Sequence, residues 1–480
     1  MTLNLSKNVK LWASFASTLI LMACAQNGGG GGTEGLASCA TTDGLTVALQ
    51  QVAAKTELNG KNGAMSLLVK LTGAGGSLAS FRQELQAAGG ESVHVKEISE
   101  GTLSIDMTGG SAARQVIEKW IAQGNVARLE EDHDTFSLEA KETQVFDGAV
   151  ANDEVQIPEE LKAQAAATGK EIVVAVVDSG VDYTHKDLAP YMWTNPGEIA
   201  GNGVDDDHNG FVDDVNGWDF VNEDNKPMAD DTQAYHGTHV AGIVKQAALL
   251  AEQGIKVRIM ALKYLDSSGS GKTSNAIRAM DYAIKNGANV LNNSWGSFSY
   301  SATLSDAIER TRAANILFVA AAGNGNSAGV GVNIDSQPFY PAAYPQDNII
   351  SVAASDDSGI LASWSNFGPR SVDMGAPGVN ILSLRNGNKT ARLSGTSMAS
   401  PYVAGVAAML WSLRPELNAT EVKQVLMSTA KKHSSLSGKV VSEGNIDRAA
   451  AVQTAETVVH DPNTKPSPSN SETPGVSPCQ

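Results

Sequence analysis

The sequence predicts an α/β protein: a three-layer domain in which helices cover both faces of a parallel sheet, preceded by a small α+β domain. Between about residues 172 and 429, strand-length runs rich in Val, Ile and Ala alternate with helix-length segments. Runs without polar alternation are typical of parallel strands that are buried on both faces. Between about residues 64 and 138, the order strand, helix, strand, strand, helix, strand is typical of a split βαβ sheet with helices on one face.

The N-terminus predicts an export signal. Lys7 and Lys10 precede an apolar run over residues 11–23, which is too short to span a membrane. The run ends at Cys24 and is similar to a bacterial lipobox, in which the cysteine becomes the lipidated first residue of the exported protein. We therefore expect a signal over residues 1–23, membrane attachment of the precursor through Cys24, and a location in the cell envelope or outside the cell. An ordinary signal peptide with a chance cysteine is the alternative.

Two segments are expected to lack a fold. Residues 24–62 contain a run of glycines that has no side chains to pack, so we predict a flexible tether. Residues 459–480 are rich in Pro and Ser and cannot offset the entropy of ordering, so we predict a disordered tail. The other two cysteines, Cys39 and Cys479, either pair in an oxidising compartment or remain idle thiols.

The small domain is expected over residues 63–138 and the large domain over residues 139–458. In the small domain the pattern predicts strands at residues 66–71, 93–98, 102–107 and 126–129 and helices at residues 78–87 and 112–122. In the large domain it predicts strands at residues 172–177, 257–263, 290–294, 316–321 and 349–354 and helices at residues 238–251, 274–286, 304–314, 398–413 and 419–429. Ligands bind parallel sheets of this kind at the carboxyl ends of the strands.

Three residues with the chemistry of nucleophilic catalysis stand at the ends of predicted elements. Ser397 lies in a glycine-led turn before an apolar helix, where unpaired amides favour negative charge, although a serine in this place is more often only a helix cap. His236 opens another predicted helix, and Asp178 ends a buried strand. A serine hydroxyl needs a neighbouring base, and the base needs a group that orients it, so the three form a candidate site.

Four motifs, in this order along the chain, are similar to those of the subtilisin-like serine proteases. They are Asp-Ser-Gly at residues 178–180, His-Gly-Thr-His-Val-Ala-Gly at 236–242, Ala-Ala-Gly-Asn at 321–324 and Gly-Thr-Ser-Met-Ala-Ser-Pro at 395–401. The order Asp, His, Ser is the subtilisin order. The resemblance covers about residues 172–429.

This resemblance implies a serine endopeptidase. Ser397 is implied as the nucleophile, His236 as its base and Asp178 as the group that orients the base. Asn324 and the backbone amide of Ser397 are implied as donors to the oxyanion. His239 lies one helical turn after His236, and we expect it to have a structural role.

The resemblance also implies that protein or peptide substrates bind as an extended strand. The family segments that pair with the substrate backbone on its two sides correspond here to Gly269, Ser270 and Gly271 and to Ser294, Trp295 and Gly296. Gly323 lies beside the expected primary pocket, close to residues 340–342, and the bulky Phe339 is placed to narrow that pocket. We expect broad endopeptidase activity with an apolar preference.

The small domain resembles the N-terminal propeptide of the same family, with a ferredoxin-like arrangement. The resemblance is closest at residues 130–133. It implies that the domain assists folding and then inhibits the enzyme by lying across its active site. The first autocleavage is then expected near Leu138, with Phe146 as a second candidate. An independent binding domain is the alternative.

An acidic loop at residues 205–214 has the ligand spacing of a calcium-binding loop. The expected ligands are Asp205, Asp207, Asn209, the carbonyl of Phe211, and Asp213 or Asp214, with Gly210 at the sixth position. The twelfth position is Asn216 and not the glutamate of an EF-hand, so flanking helices are not implied. A solvated acidic loop without a cation is the alternative.

The charge balance excludes some partners. The formal net charge of −17 argues against a nucleic-acid partner and suits a solvated protein that holds cations. We expect a monomer whose only cofactor is structural calcium. An inactive binding protein on the same fold and a transpeptidase, which passes its acyl group to an amine, are the competing functions.

Overall fold

The computed structural model describes residues 41–58, 64–73, 77–108, 111–138, 144–146, 157–230, 234–248 and 254–461. The predicted signal, the lipobox Cys24, the glycine run, Cys39, Cys479 and the tail beyond residue 461 lie outside the described residues.

The small domain contains an antiparallel sheet and three helices among its described residues. The elements are α1 (Thr42–Leu58), β1 (Met65–Leu71), α2 (Leu78–Gly89), β2 (Val93–Ser99), β3 (Thr102–Met107), α3 (Ser111–Ala122) and β4 (Val126–Glu131). The strands are arranged in the order β2-β3-β1-β4. From β1 to β4 this is the order of elements that the sequence predicts, and side chains such as Leu67, Phe81 and Ile105 are fully buried between sheet and helices.

Helix α1 lies within residues 24–62, where the sequence analysis expects a flexible tether, so that expectation is wrong for α1. Leu45, Leu49, Val52 and Ala53 are buried in the core of the small domain. Their spacing places them on one side of a helix. The helix packs against β4 and α3 because only that burial offsets the entropy of ordering it.

The large domain is built on a long sheet. Its strands, together with those that flank the site, are β5 (Asp134–Ser137), β6 (Gln144–Phe146), β7 (Ile172–Asp178), β8 (Gly217–Asp219), β9 (Val257–Lys263), β10 (Ser270–Lys272), β11 (Val290–Asn293), β12 (Trp295–Gly296), β13 (Leu317–Ala321), β14 (Ile349–Ser355), β15 (Met374–Pro377), β16 (Ile381–Arg385), β17 (Lys389–Leu393), β18 (Lys431–Lys432) and β19 (Gly444–Asn445). Within the described residues, nine of them form one sheet in the order β18-β19-β15-β14-β13-β11-β7-β9-β8, in which every neighbouring pair is parallel except β18 and β19.

Helices cover both faces of this sheet. They are α4 (Glu159–Thr168), α5 (His236–Ala247), α6 (Thr273–Lys285), α7 (Ala302–Ala313), α8 (Thr396–Leu413), α9 (Ala419–Ser428) and α10 (Arg448–Ala455). Alternate residues of β7 belong to two cores: Ile172, Val174 and Val176 pack with α5 and α8, whereas Val173 and Val177 pack with α6 and α7. This is the predicted three-layer architecture.

The structure differs from the prediction in several elements. Helix α5 ends at Ala247, four residues before the predicted end. Strands β8, β15 and β19, which extend the sheet, and the hairpin of β16 and β17 were not predicted. None of the helices in the described ranges has both the length and the apolar character that a membrane span requires.

Candidate active site

Asp178 and His236 form a buried pair at the edge of the sheet. Asp178 is the last residue of β7 and His236 is the first residue of α5. His236 Nδ1 lies 2.7 Å from Asp178 Oδ1, which also accepts a hydrogen bond from the amide of Ser179 at 2.7 Å. Gly237 permits this approach, because a Cβ at this position would overlap the backbone oxygen of Gly180. With a carboxylate facing Nδ1, the ring carries its proton on that nitrogen and its orientation is fixed.

Ser397 lies in the first turn of α8, a helix that is apolar and almost entirely buried. Its hydroxyl oxygen lies 3.0 Å from the carbonyl oxygens of both Ser294 and Leu138. Gly395, directly before the helix, makes room for the second of these groups, since a Cβ there would lie 2.8 Å from the Leu138 oxygen. The hydroxyl and the carbonyl group of Leu138 therefore meet at the N-terminus of α8.

Asn324 also contacts the carbonyl group of Leu138. Its Nδ2 donates a hydrogen bond to the Leu138 oxygen at 2.5 Å. Its Oδ1 accepts hydrogen bonds from the backbone amide of Thr396 at 2.9 Å and from the Thr396 hydroxyl at 2.8 Å. These two bonds fix the amide so that its NH₂ group faces Leu138. The amide of Ser397, the other expected donor, makes no hydrogen bond to this oxygen among the described residues; an oxyanion occupies a different position from a ground-state carbonyl oxygen.

Strand β5 lies between the two segments that were expected to pair with substrate. Thr135 is aligned with Gly271 on β10, and Ser137 with Trp295 on β12, both in antiparallel register. The amide of Ser137 donates to the oxygen of Gly269 at 2.8 Å. The structure thus brings all six predicted backbone positions to β5 and Leu138. Gly323 lies next to Thr396, whose hydroxyl accepts a hydrogen bond from the Gly323 amide at 3.1 Å.

Phe146, the second candidate for autocleavage, lies elsewhere. It belongs to β6, which pairs with β17, and it is aligned with Thr390. Of the two candidates for autocleavage, Leu138 is therefore the one whose carbonyl group contacts Ser397.

The Phe339 ring lies beside the expected primary pocket and is only 4% exposed. A Cβ on Gly323 would lie 3.1 Å from this ring, and a Cβ on Gly296 would overlap it. The ring also packs edge to face against Phe298, with centroids 5.0 Å apart. That Phe339 narrows the primary pocket stays a prediction.

His239 has a different environment from His236. It is completely buried, and its Nε2 lies 3.0 Å from the carbonyl oxygen of Ala391 on β17. Burial lowers the pKa of His239 to about 3, and the proximity of His236 acts in the same direction. His239 therefore stays neutral and connects α5 to β17 through this contact, which agrees with the structural role expected of it.

The acidic loop brings together three carboxylates, two of which were predicted. Oxygens of Glu198, Asp205 and Asp207 lie within 4.8 Å of one another. Glu198 was missed because it precedes the motif, and it also accepts hydrogen bonds from backbone amides of the loop. The arrangement of close carboxylates suits a hard cation with oxygen ligands, such as calcium.

The other predicted ligands are engaged differently. The Asp213 carboxylate accepts hydrogen bonds from the amides of residues 201–203, because that turn needs an acceptor. The Asp214 carboxylate accepts the hydroxyl of Tyr282 at 2.6 Å. Asn209 Oδ1 accepts the amide of Phe211, whose ring packs against Trp218. Among the acidic residues that the structure describes, Glu198 joins Asp205 and Asp207, whereas Asp213 and Asp214 lie outside this group. Asn209 and the carbonyl group of Phe211 stay predicted ligands.

The sequence analysis does not predict two further residues of the site. One contacts β5, and the other orients the side chain that donates to the Leu138 carbonyl group. Thr396 orients Asn324, and Tyr264 contacts Thr135 through its hydroxyl group. Thr396 lies within the motif around Ser397, so the sequence contains a local signal for it. The contact of Tyr264 joins positions 129 residues apart and leaves no local signal.

The fold and the site define a class. A parallel sheet flanked by helices that carries a buried Asp–His pair, and a serine at the N-terminus of a further helix, contains the residues of a serine hydrolase. The chain belongs to the subtilase family, since the family model for peptidase S8 subtilases matches residues 169–458.

Comparison with individual proteins supports the same family. The chain is 39% identical over 290 residues to a thermophilic serine proteinase of Bacillus sp. (strain AK1), with 60% of this chain and 62% of that protein covered. It is 33% identical over 302 residues to subtilisin-like protease 1 of Plasmodium falciparum (isolate 3D7), with 59% and 43% covered. It is 36% identical over 267 residues to subtilisin DY of Bacillus licheniformis, with 55% and 84% covered. The match thus spans less than two thirds of the first two relatives.

Proposed function

We propose that this chain is the precursor of a serine endopeptidase that first cuts itself after Leu138. One observation carries the proposal: the carbonyl oxygen of Leu138 lies 3.0 Å from the Ser397 hydroxyl and 2.5 Å from the Asn324 amide. A peptide bond held between a nucleophile and an oxyanion donor is a substrate in place for attack.

The proposed mechanism follows from these contacts. His236 Nε2 takes the Ser397 proton while the hydroxyl oxygen bonds to the Leu138 carbonyl carbon, and Asp178 stabilises the resulting imidazolium. Asn324 stabilises the oxyanion. When the intermediate collapses, the bond from Leu138 to the next residue breaks, and His236 gives its proton to the leaving amine. Water then attacks the acyl group on Ser397, again with His236 as base, and releases the Leu138 carboxylate.

The small domain is proposed to inhibit the enzyme until it is removed. Its strand β5 occupies the substrate position, and two of its carboxylates cap helices of the large domain. Glu130 accepts hydrogen bonds from the amides of Ala302 and Thr303 at the start of α7, both at 3.0 Å. Asp132 accepts the amide of Ser274 at the start of α6, at 2.9 Å. Negative charge at helix N-termini is stabilising, so these contacts hold the domain in place after the first cut.

Export and calcium binding complete the proposal. The lysines and apolar run before Cys24 support secretion of a lipidated precursor, from which autocleavage separates the enzyme. The carboxylates of Glu198, Asp205 and Asp207 support a structural calcium ion, which would stabilise the inserted loop and take no part in the chemical steps.

The first experiment is the intact mass of the purified chain beside its Ser397→Ala variant. We expect the wild type to separate into two fragments that divide after Leu138, and the variant to remain whole. Ser394→Ala, three residues earlier, is the matched control and should process as the wild type does. If the wild type also stays whole and does not degrade casein, the endopeptidase proposal is wrong and the chain is better regarded as a binding protein on this fold.

A further inference from the structure

The side chain of Thr135, the fourth residue before the proposed cleavage site, occupies a small polar pocket. Thr135 is 2% exposed, whereas its neighbour Phe136 is 51% exposed. Side chains alternate along a strand, so β5 turns Thr135 into the large domain and Phe136 toward solvent. Two polar groups of the large domain face the threonine hydroxyl: Tyr264 Oη at 3.1 Å and the carbonyl oxygen of Gly271 at 3.0 Å.

The proton positions in this pocket follow from the two distances. The Gly271 oxygen can only accept, so the Thr135 hydroxyl donates its single proton there. The Thr135 oxygen then accepts the proton of the Tyr264 hydroxyl. Burial raises the pKa of Tyr264 well above its usual value, which keeps the phenol protonated and able to donate. The pocket therefore requires a group that both donates and accepts at one atom, which is a hydroxyl.

The walls of the pocket are fixed. Tyr264 is completely buried, and its ring packs edge to face against Trp295 with centroids 5.0 Å apart. A Cβ on Gly271 would lie 2.9 Å from the Tyr264 ring, so strand and ring are already in close contact. An aromatic side chain in place of Thr135 does not fit without displacing these groups, because packed interiors accommodate added volume poorly.

We propose that the enzyme selects substrates with Thr or Ser at the fourth position before the scissile bond, through Tyr264 and Gly271. This inference rests on the proposed endopeptidase function and names the substrate class of that site. A substrate with Val has the shape of Thr but leaves the buried Tyr264 hydroxyl without its acceptor. Losing this hydrogen bond costs more free energy than the bond contributes when it is present, because the buried Tyr264 hydroxyl stays desolvated and without a partner.

The test compares four peptides that carry residues 132–145 of this chain and differ only at the position of Thr135, which is Thr, Ser, Val or Phe. The enzyme is the self-processed wild type. We expect kcat/KM to be about tenfold higher for the Thr peptide than for the Val peptide. Ser should lie near Thr, and Phe should be cut most slowly. Replacing the exposed Phe136 by Leu in the Thr peptide is the control and should change the rate less than about threefold.

Tyr264→Phe separates the hydroxyl from the rest of the pocket. This variant should lower the rate on the Thr peptide more than the rate on the Val peptide, so that their ratio falls to about threefold or less. Equal rates on Thr and Val peptides in the wild type would overturn the inference alone. A wild type that cuts no peptide would overturn the proposed function and this inference with it. A ratio that stays near tenfold in Tyr264→Phe would exclude Tyr264 as the selecting group.

Discussion

At the scale of single residues, Asn324 is the group whose role is most sharply defined by its contacts. Its Oδ1 is committed to Thr396 by two hydrogen bonds, which leaves Nδ2 directed at the Leu138 carbonyl oxygen. Asn324→Asp keeps the acceptor toward Thr396 and removes the donor. We expect kcat for peptide cleavage to fall by about 10²–10³, with a smaller change in KM, because the donor acts mainly on the transition state.

The control for this prediction is Asn326→Asp, two residues further along the same loop. Asn326 Oδ1 accepts the amides of Ala328 and Val330 in its own turn, and within the described part of the chain it makes no hydrogen bond to Leu138. Steady-state kinetics on a single peptide should therefore show near wild-type rates for Asn326→Asp. If Asn324→Asp retained full kcat, another donor would have to stabilise the oxyanion.

Single residues also show what the sequence could and could not predict. Asp178, His236, Ser397 and Asn324 were selected because each lies in a short motif at the end of an element. Glu198 and Tyr264 were missed, since their contacts join segments that only the folded chain brings together. Asp213 was misassigned because spacing alone does not show whether a carboxylate faces a cation or the amides of a turn.

At the scale of elements, the junction between the small domain and α6 is sensitive to pH. Asp132 is 2% exposed where it caps α6. Burial raises the pKa of Asp132 to about 6, although hydrogen bonds from Ser274 and the charge of Lys272 oppose the rise. In the unfolded chain the pKa of an aspartate is about 3.9. The folded state therefore binds the proton more tightly, and this residue's contribution to stability falls as pH rises from about 4 to about 6.

This linkage is measured by comparing Ser397→Ala with the double variant Ser397→Ala, Asp132→Asn, both of which remain unprocessed. An asparagine still accepts the amide of Ser274 and carries no charge. We expect the double variant to gain free energy of unfolding relative to Ser397→Ala as pH rises from 4 to 6, by up to about 3 kcal/mol for a shift of about 2 pKa units. Denaturant titrations at several pH values give this difference.

Asp134→Asn in the same background is the control for Asp132. Asp134 is an exposed neighbour that pairs with Lys272 at 2.9 Å, so its replacement removes an exposed ion pair and should change the free energy of unfolding only slightly. If the Asp132→Asn difference stayed constant across this range, burial would not perturb Asp132 as described.

Elements were predicted well where they are long and periodic. The parallel strands of the large domain were recognised from their uninterrupted apolar runs, and β7 is indeed buried along its whole length. Helix α1 was not predicted, because the prediction for residues 24–62 rests on the glycine run, whereas the apolar spacing of a helix begins only after it. Short strands such as β8 and β19 gain their stability from neighbours in the sheet and give no periodic signal of their own.

At the scale of the whole molecule, the excess of negative charge bears on stability most directly at the acidic loop. The chain has 52 acidic and 35 basic side chains, so like-charge repulsion opposes a compact state. The repulsion is greatest where carboxylates lie close together, as Glu198, Asp205 and Asp207 do. A cation bound here would be attracted to all three carboxylates and would offset their mutual repulsion. The free energy of binding the cation would then add to the stability of the folded chain.

The final prediction is that calcium raises the melting temperature of the unprocessed Ser397→Ala chain. A concentration 100 times the dissociation constant stabilises the folded state by about 2.7 kcal/mol, which corresponds to several degrees. Asp205→Asn should abolish most of this shift. Asp206→Asn should keep it, because Asp206 accepts hydrogen bonds from Ile199 and Asn202 outside the group of three carboxylates. Melting is followed by tryptophan fluorescence at constant ionic strength, in calcium and in chelator. Equal melting temperatures in both would show that the loop folds without a cation.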